Sequence, residues 1–179
     1  MSLKFWVAAL FGVVMMATQA KAADLENQIY LDLKDGRVVI ELRPDLAPNH
    51  VARIKELTRQ GFYDGVVFHR VIDGFMAQTG DPTGTGSGGS GQKLKAEFTP
   101  TKHVRGTVSM ARAQSPDSGD SQFFIVFAPS NWLDGQYTVW GQVIEGMEHV
   151  DAIKKGAGGN GIVSDPDKIV KMQVAADAQ

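Results

Sequence analysis

Apolar and polar residues alternate with period two through much of the chain beyond residue 27. Residues 28–32 and 37–42 both alternate, and Lys34-Asp35-Gly36 between them predicts a β-hairpin. The period then changes. From Pro48 to Gln60, Val51, Ile54 and Leu57/Thr58 recur at helical spacing and Gly61 follows as a stop signal, so a helix is predicted. Further strands are predicted at residues 66–71, 75–79, 106–111, 122–127, 138–143 and 168–174. A second, shorter helix is predicted around residues 147–155, ended by Gly156. Many short strands with turns between them and two helices predict a mainly β protein built as an antiparallel barrel. No repeat or interdomain linker interrupts the pattern, and 179 residues suit one domain with a sizeable core.

One stretch concentrates the candidate chemistry: Phe68-His69-Arg70-Val71-Ile72-Asp73-Gly74-Phe75-Met76-Ala77-Gln78. Strict alternation puts Phe68 and Arg70 on one strand face and His69 and Val71 on the other. A cation among apolar side chains is costly to leave dry and unpaired. Arg70 is therefore either half of a structural ion pair or a working group in a pocket. In Ser121-Gln122-Phe123-Phe124-Ile125, alternation sets Gln122 beside Phe124 and turns Phe123 away. An amide beside a ring resembles a groove more than a core. Taken singly, Phe75, Met76, Phe124, Trp132 and Leu133 read better as ordinary core residues.

Composition narrows the partners. A net charge of −2 gives no basic footprint for nucleic acid, and the absence of cysteine excludes disulfides and thiolate metal sites. Lys4, an apolar run over residues 5–17 and the small-x-small end Thr18-Gln19-Ala20-Lys21-Ala22-Ala23 read as a secretory signal peptide cut after Ala22. The run is shorter than the roughly 20 residues that span a bilayer. No cysteine stands at the junction to take a lipid. The expectation is a mature domain of residues 23–179 in the periplasm, without a stable membrane anchor. Cleavage removes Lys4 and Lys21, taking the net charge from −2 to −4, which favours solubility.

Several other signals carry less. Gly84-Thr85-Gly86-Ser87-Gly88-Gly89 matches the dinucleotide fingerprint, but no helix follows it, so a flexible surface loop is expected. Residues 156–161 read as a helix stop and a loop. His50, His69, His103 and His149 lack metal-ligand spacing, and His69 reads as a packed, hydrogen-bonded structural histidine. There is no Gly-x-Ser-x-Gly elbow. A Ser-His-Asp triad, whose members meet only in space, is left open.

The remaining motifs resemble those of the cyclophilin-type peptidyl-prolyl cis–trans isomerases over about residues 28–174. They are Gly61-Phe62-Tyr63-Asp64-Gly65, Phe68-His69-Arg70-Val71-Ile72, the run from Gly74 to Thr83, Ser109-Met110-Ala111, Ser121-Gln122-Phe123-Phe124-Ile125 and Trp132-Leu133-Asp134-Gly135. The resemblance implies a closed eight-stranded antiparallel barrel capped by two helices. It implies Arg70 as the catalytic arginine, with Phe75, Met76, Phe124 and Leu133 around the substrate proline ring. Gln78 and Gln122 would bond the substrate backbone, and Ala111-Arg112-Ala113 would run alongside it. Trp132 would stand at the pocket edge, a position associated in the family with cyclosporin sensitivity. Tyr137 replaces a histidine common in eukaryotic members and keeps a hydrogen-bond donor. Asp73 and Arg112 replace a common proline and asparagine, and the loop over residues 80–92 departs from the longer common pattern. The implied protein is a monomer without metal or cofactor that turns X–Pro bonds in exported polypeptides, with cyclosporin as an inhibitor. A chaperone that merely holds proline segments, or an inert barrel, are the competing readings.

Overall fold

Eight strands form one antiparallel sheet in the computed structural model, which describes residues 24–178. They are β1 (Gln28–Leu33), β2 (Gly36–Leu42), β3 (Arg70–Ile72), β4 (Met76–Thr79), β5 (Thr107–Met110), β6 (Phe123–Val126), β7 (Val139–Glu145) and β8 (Lys171–Val174). Their order across the sheet is β3-β4-β6-β5-β7-β2-β1-β8. The expected signal peptide, residues 1–22, lies outside the described residues. Helix α1 (Pro48–Arg59) packs against β8 and β7, and the shorter α2 (Met147–Asp151) against β2. Proline at the start of α1 leaves no unmet N–H there, and Gly61, at φ +68°, takes the left-handed turn after its end. Val51, Ile54, Leu57 and Thr58 are buried together, as their spacing predicts.

The sheet curls around an apolar core that includes Ile29, Leu31, Ile40, Val108, Phe123, Ile125 and Trp140, all unexposed. It curls without closing. The edge strands β3 and β8 share no ladder, so the expected closed barrel is an open one. Only three residues of β3 are extended, too few to pair along β8. The seam is spanned instead by the bridge Val67↔Lys168 and by the Phe68 N–H, which donates to the Asp167 carbonyl at 2.8 Å.

That short β3 also corrects the alternation over residues 66–71. Phe68 and Val71 both enter the main core, whereas His69 and Arg70 line one cavity together. Two successive residues on one side mean that period two fails between Phe68 and Arg70. Ladder pairing with β4 begins only at Arg70, and Val67 pairs elsewhere. An extra residue of this kind reverses every side chain before it, as in a bulge.

Candidate active site

Strand register assembles the site. Arg70 faces Gln78, Gln78 faces Phe124, Phe124 faces Ser109, and Ser109 faces Val139, a single row across five strands. Residues paired in this way project from the same face of a sheet. The row beside it, Val71, Ala77, Ile125 and Val108, is fully buried in the main core. The Arg70 row is therefore on the outer face. There Met76, Phe124, Val126 and Leu133 form a second apolar cluster, packed by Ile72, Phe75, Ala111 and Tyr137.

A cavity of about 460 Å³ opens over that cluster. Arg70, Phe75, Met76, Gln78, Ala111, Arg112, Phe124, Trp132, Leu133 and Tyr137 all line it. Of the residues implied by the sequence, Gln122 and Ala113 lie instead on an adjoining cavity of about 440 Å³, which shares Gln78, Ala111 and Arg112 with the first. The floor is packed: the Phe124 ring meets Tyr137 edge-on at 5.5 Å. The rim is not buried. Trp132 is 62% exposed and tilts against Phe75 at 5.4 Å. Arg112 lies over the Tyr137 ring and donates to the carbonyls of Gln136, Ala113 and Gln114, so it pins the rim segment rather than reaching a carboxylate.

Arg70 is held by neutral oxygens. Its Nε donates to the Asn160 carbonyl at 2.9 Å, and Nη1 donates to Gln78 Oε1 at 3.2 Å. It forms no ion pair among the described residues, and Nη2 has no protein acceptor there. The ion-pair reading of this arginine is thereby removed. Asn160 belongs to the glycine-rich segment 156–161, read from sequence as a mere loop. The segment pairs with β3 through Val71 N–H to the Gly161 carbonyl at 2.7 Å, and so helps to aim Arg70. Gln78 Nε2 in turn donates to Gln122 Oε1 at 2.9 Å.

Sequence reasoning missed Thr85, Gly86 and Ile162, which complete the first cavity, and Lys93, Ser118 and Asp120, which line the second. His69 also lines the first cavity. It is 5% exposed, and neither ring nitrogen has a hydrogen-bond partner of ordinary geometry among the described residues, so the hydrogen-bonded role expected for it is not found. Burial pushes its imidazole below the usual value, which keeps it neutral. The turn that places Phe75 carries Gly74 at φ +69°, as a type II turn requires at its third position. Nothing in the structure explains Asp73 before it.

A Ser-His-Asp set does exist. His103 Nε2 is 2.8 Å from Ser109 Oγ, and its Nδ1 is 3.1 Å from Asp134 Oδ1. The backbone N–H of His103 also donates to Asp134, and this bond, with Lys102 and the ring, holds that carboxyl at about 2 against the opposing effect of burial. An ionised carboxylate only accepts, so Nδ1 donates to it and Nε2 is left to accept from the serine hydroxyl. Ser109 and His103 are both unexposed. A nucleophile must touch its substrate, and this one cannot. The set braces the floor from the side, with His103 stacked 6.4 Å from Phe124. Among the described residues there is also no group of three or more His, Asp or Glu side chains that could hold a metal.

A curled antiparallel sheet with a cavity over an apolar cluster, and an arginine and two amides on the same outer face, defines a β protein with an open groove outside its core. The chain belongs to the cyclophilin-type peptidyl-prolyl cis–trans isomerases, whose family model matches residues 28–174. It is 53% identical over 187 aligned positions to a protein of Brucella suis named a probable peptidyl-prolyl cis-trans isomerase, covering 97% of this chain and 94% of that one. Peptidyl-prolyl cis-trans isomerase B of Bacillus subtilis is 46% identical over 71% of this chain and 90% of its own length. Among solved structures, a Cryptosporidium parvum cyclophilin-type isomerase in the presence of the dipeptide Ala-Pro superposes with a TM-score of 0.75 at 30% identity. That match covers 82% of this chain and 98% of the other. The activity is that of a peptidyl-prolyl cis–trans isomerase.

Proposed function

We propose that the first cavity receives the proline ring of a substrate polypeptide and that Arg70 stabilises the twisted amide. The observation that carries this reading is a guanidinium aimed by neutral acceptors beside a cavity floored by apolar side chains, with no carboxylate paired to it among the described residues. An X–Pro bond turns over a barrier of roughly 18–20 kcal/mol because resonance holds the amide planar. A turnover of about 10–10³ per second requires that barrier to fall by about 4–7 kcal/mol. No covalent bond breaks, so no nucleophile is needed, in keeping with a sealed Ser109.

As the bond twists, the prolyl nitrogen regains its lone pair and becomes an acceptor. A hydrogen bond from Arg70 to that nitrogen strengthens only in the twisted state, which is what lowers a barrier rather than merely binding substrate. Such a charge-assisted bond contributes about 1.5–3 kcal/mol. Phe75, Met76, Phe124 and Leu133 hold the ring, and Gln78, Gln122 and the Ala111–Ala113 edge fix the flanking backbone while the other side rotates. Dry, preorganised surroundings supply the rest.

Exported polypeptides are the substrates this reading assigns, on the strength of the N-terminal sequence, and Trp132 at the rim is assigned a cyclosporin contact. The test is Arg70→Ala, assayed on a proline tetrapeptide by coupled proteolysis. The expected result is a loss of about 10²-fold in kcat/KM with the fold and peptide binding retained. A variant that turns over like the parent would remove Arg70 from the reaction.

A further inference from the structure

The hydrogen bonds that leave Arg70 do not stop at Gln122. Gln122 Nε2 donates to two carbonyls of the glycine-rich loop, Gly86 at 3.0 Å and Gly88 at 2.8 Å. The N–H groups of the same two glycines donate to Asp81 Oδ2, at 2.6 and 3.0 Å. Asp81 Oδ1 accepts from the backbone and the hydroxyl of Thr83, at 2.7 and 2.8 Å. The carboxylate is completely buried, and the loop is wrapped around it so closely that a Cβ on Gly88 would lie 2.2 Å from Oδ1. This loop is pinned, contrary to the flexibility its composition suggests.

The polarity of the whole chain of bonds follows from its two ends. Backbone carbonyls only accept, so the amino group of Gln122 must face Gly86 and Gly88. Its oxygen must then face Gln78, whose own oxygen must face Arg70, a group that only donates. If the loop carbonyls move away, Gln122 can flip. Gln78 then meets an amino group, flips in turn, and presents a donor to the Arg70 guanidinium.

We infer that Asp81 is a positioning residue for catalysis: by fixing Gly86 and Gly88 it sets the orientation of both glutamine amides and, through them, the direction of the Arg70 guanidinium. The inference rests on the role given to Arg70 above. It is consistent with a carboxyl that, despite the upward push of burial, is held at about 2 by Thr83, Gly88 and Gly86 and so keeps its charge. A buried anion that organised only the loop would leave Arg70 untouched when altered.

The experiment is Asp81→Asn in the full chain, an isosteric change that removes the charge and half of the acceptor capacity. Kinetics on a proline tetrapeptide are read by NMR exchange, together with the 15N–1H resonances of the Gln78 side chain and the Arg70 Nε–H. The expected result is a drop of about ten-fold in kcat with KM changed by less than about two-fold, and displaced Gln78 and Arg70 resonances. In an Arg70→Ala background, Asp81→Asn should cost less than about two-fold more, because both act through one group. Full kcat in folded Asp81→Asn overturns the inference, and so does an undiminished ten-fold loss in the Arg70→Ala background. If Asp81→Asn does not fold, Thr83→Val removes one donor from the carboxylate at an exposed position and should lower kcat by about two- to three-fold with the same resonances displaced. Unchanged kcat and resonances in Thr83→Val overturn the inference as well. Arg70→Ala at parental activity is a separate outcome, which sinks the role of Arg70 itself.

Discussion

Phe124 stands between two hydrogen-bonded chains that start from the strands on either side of β6 and end in opposite circumstances. On the β4 side, Gln78 links Arg70 to Gln122 along the wall of an open groove. On the β5 side, Ser109, His103 and Asp134 form a nucleophile's constellation with no exposed serine or histidine. By residue type alone the second chain is the catalytic one. Access and the reaction's demands reverse that ranking. On the reading proposed above, rotation about an amide uses a directed charge beside an apolar surface, and it has no use for a proton relay. Sealed, the relay becomes a brace, since buried polar groups that bond to one another hold neighbouring side chains in place.

The comparison can be broken at its strong points first. His103→Ala should cost about 3 kcal/mol of stability in urea unfolding, because it leaves Ser109 unpaired inside and opens a cavity beside Phe124. The fraction still folded should keep kcat within about three-fold, the mirror image of Arg70→Ala. A folded His103→Ala that has lost turnover would give the sealed chain a chemical role.

Acid should separate the same groups by pH. Burial holds His103 and His69 below their ordinary values, so the unfolded chain takes up protons first as pH falls below about 6.5, and stability declines from there. Asp81 and Asp134 are held at about 2, well below an unfolded carboxyl near 4. Their contribution is complete above the unfolded value and is lost as pH falls toward 2, on the order of 2 kcal/mol for the buried Asp81. Unfolding free energies measured from pH 8 to 2 should therefore fall in two stages, and Asp81→Asn should flatten the lower one. Ser109→Ala should cost about 1 kcal/mol, the size of one hydrogen bond, with little change in kcat. Smallest of all, Trp132→Ala should move stability by less than about 0.5 kcal/mol, being mostly exposed, while weakening cyclosporin in a titration followed by calorimetry. Unchanged cyclosporin affinity would take Trp132 out of that contact.

The groove was legible in the sequence because its residues sit in short runs where alternation decides the face: Gln122 and Phe124 together, Phe123 opposite. The same rule failed at Phe68, since nothing local announces where a ladder begins, and pairing of Val67 with Lys168 is a long-range event. Ser109, His103 and Asp134 were equally invisible as a set, because only the approach of three distant segments joins them. The glycine-rich loop misled for another reason. Glycines signal freedom in a chain considered alone, and here they signal room for the Asp81 carboxylate.

The placement of the groove on the outside of the curled sheet has a consequence for how such a protein can change over generations. On β6, Phe124 lines the groove while Phe123 and Ile125, one step either side, hold the interior. Point substitutions can therefore remodel the groove surface while the interior is inherited unaltered. Insertion or deletion of one residue in β6 enjoys no such independence: it would exchange the two faces at a stroke, ruining recognition and folding together.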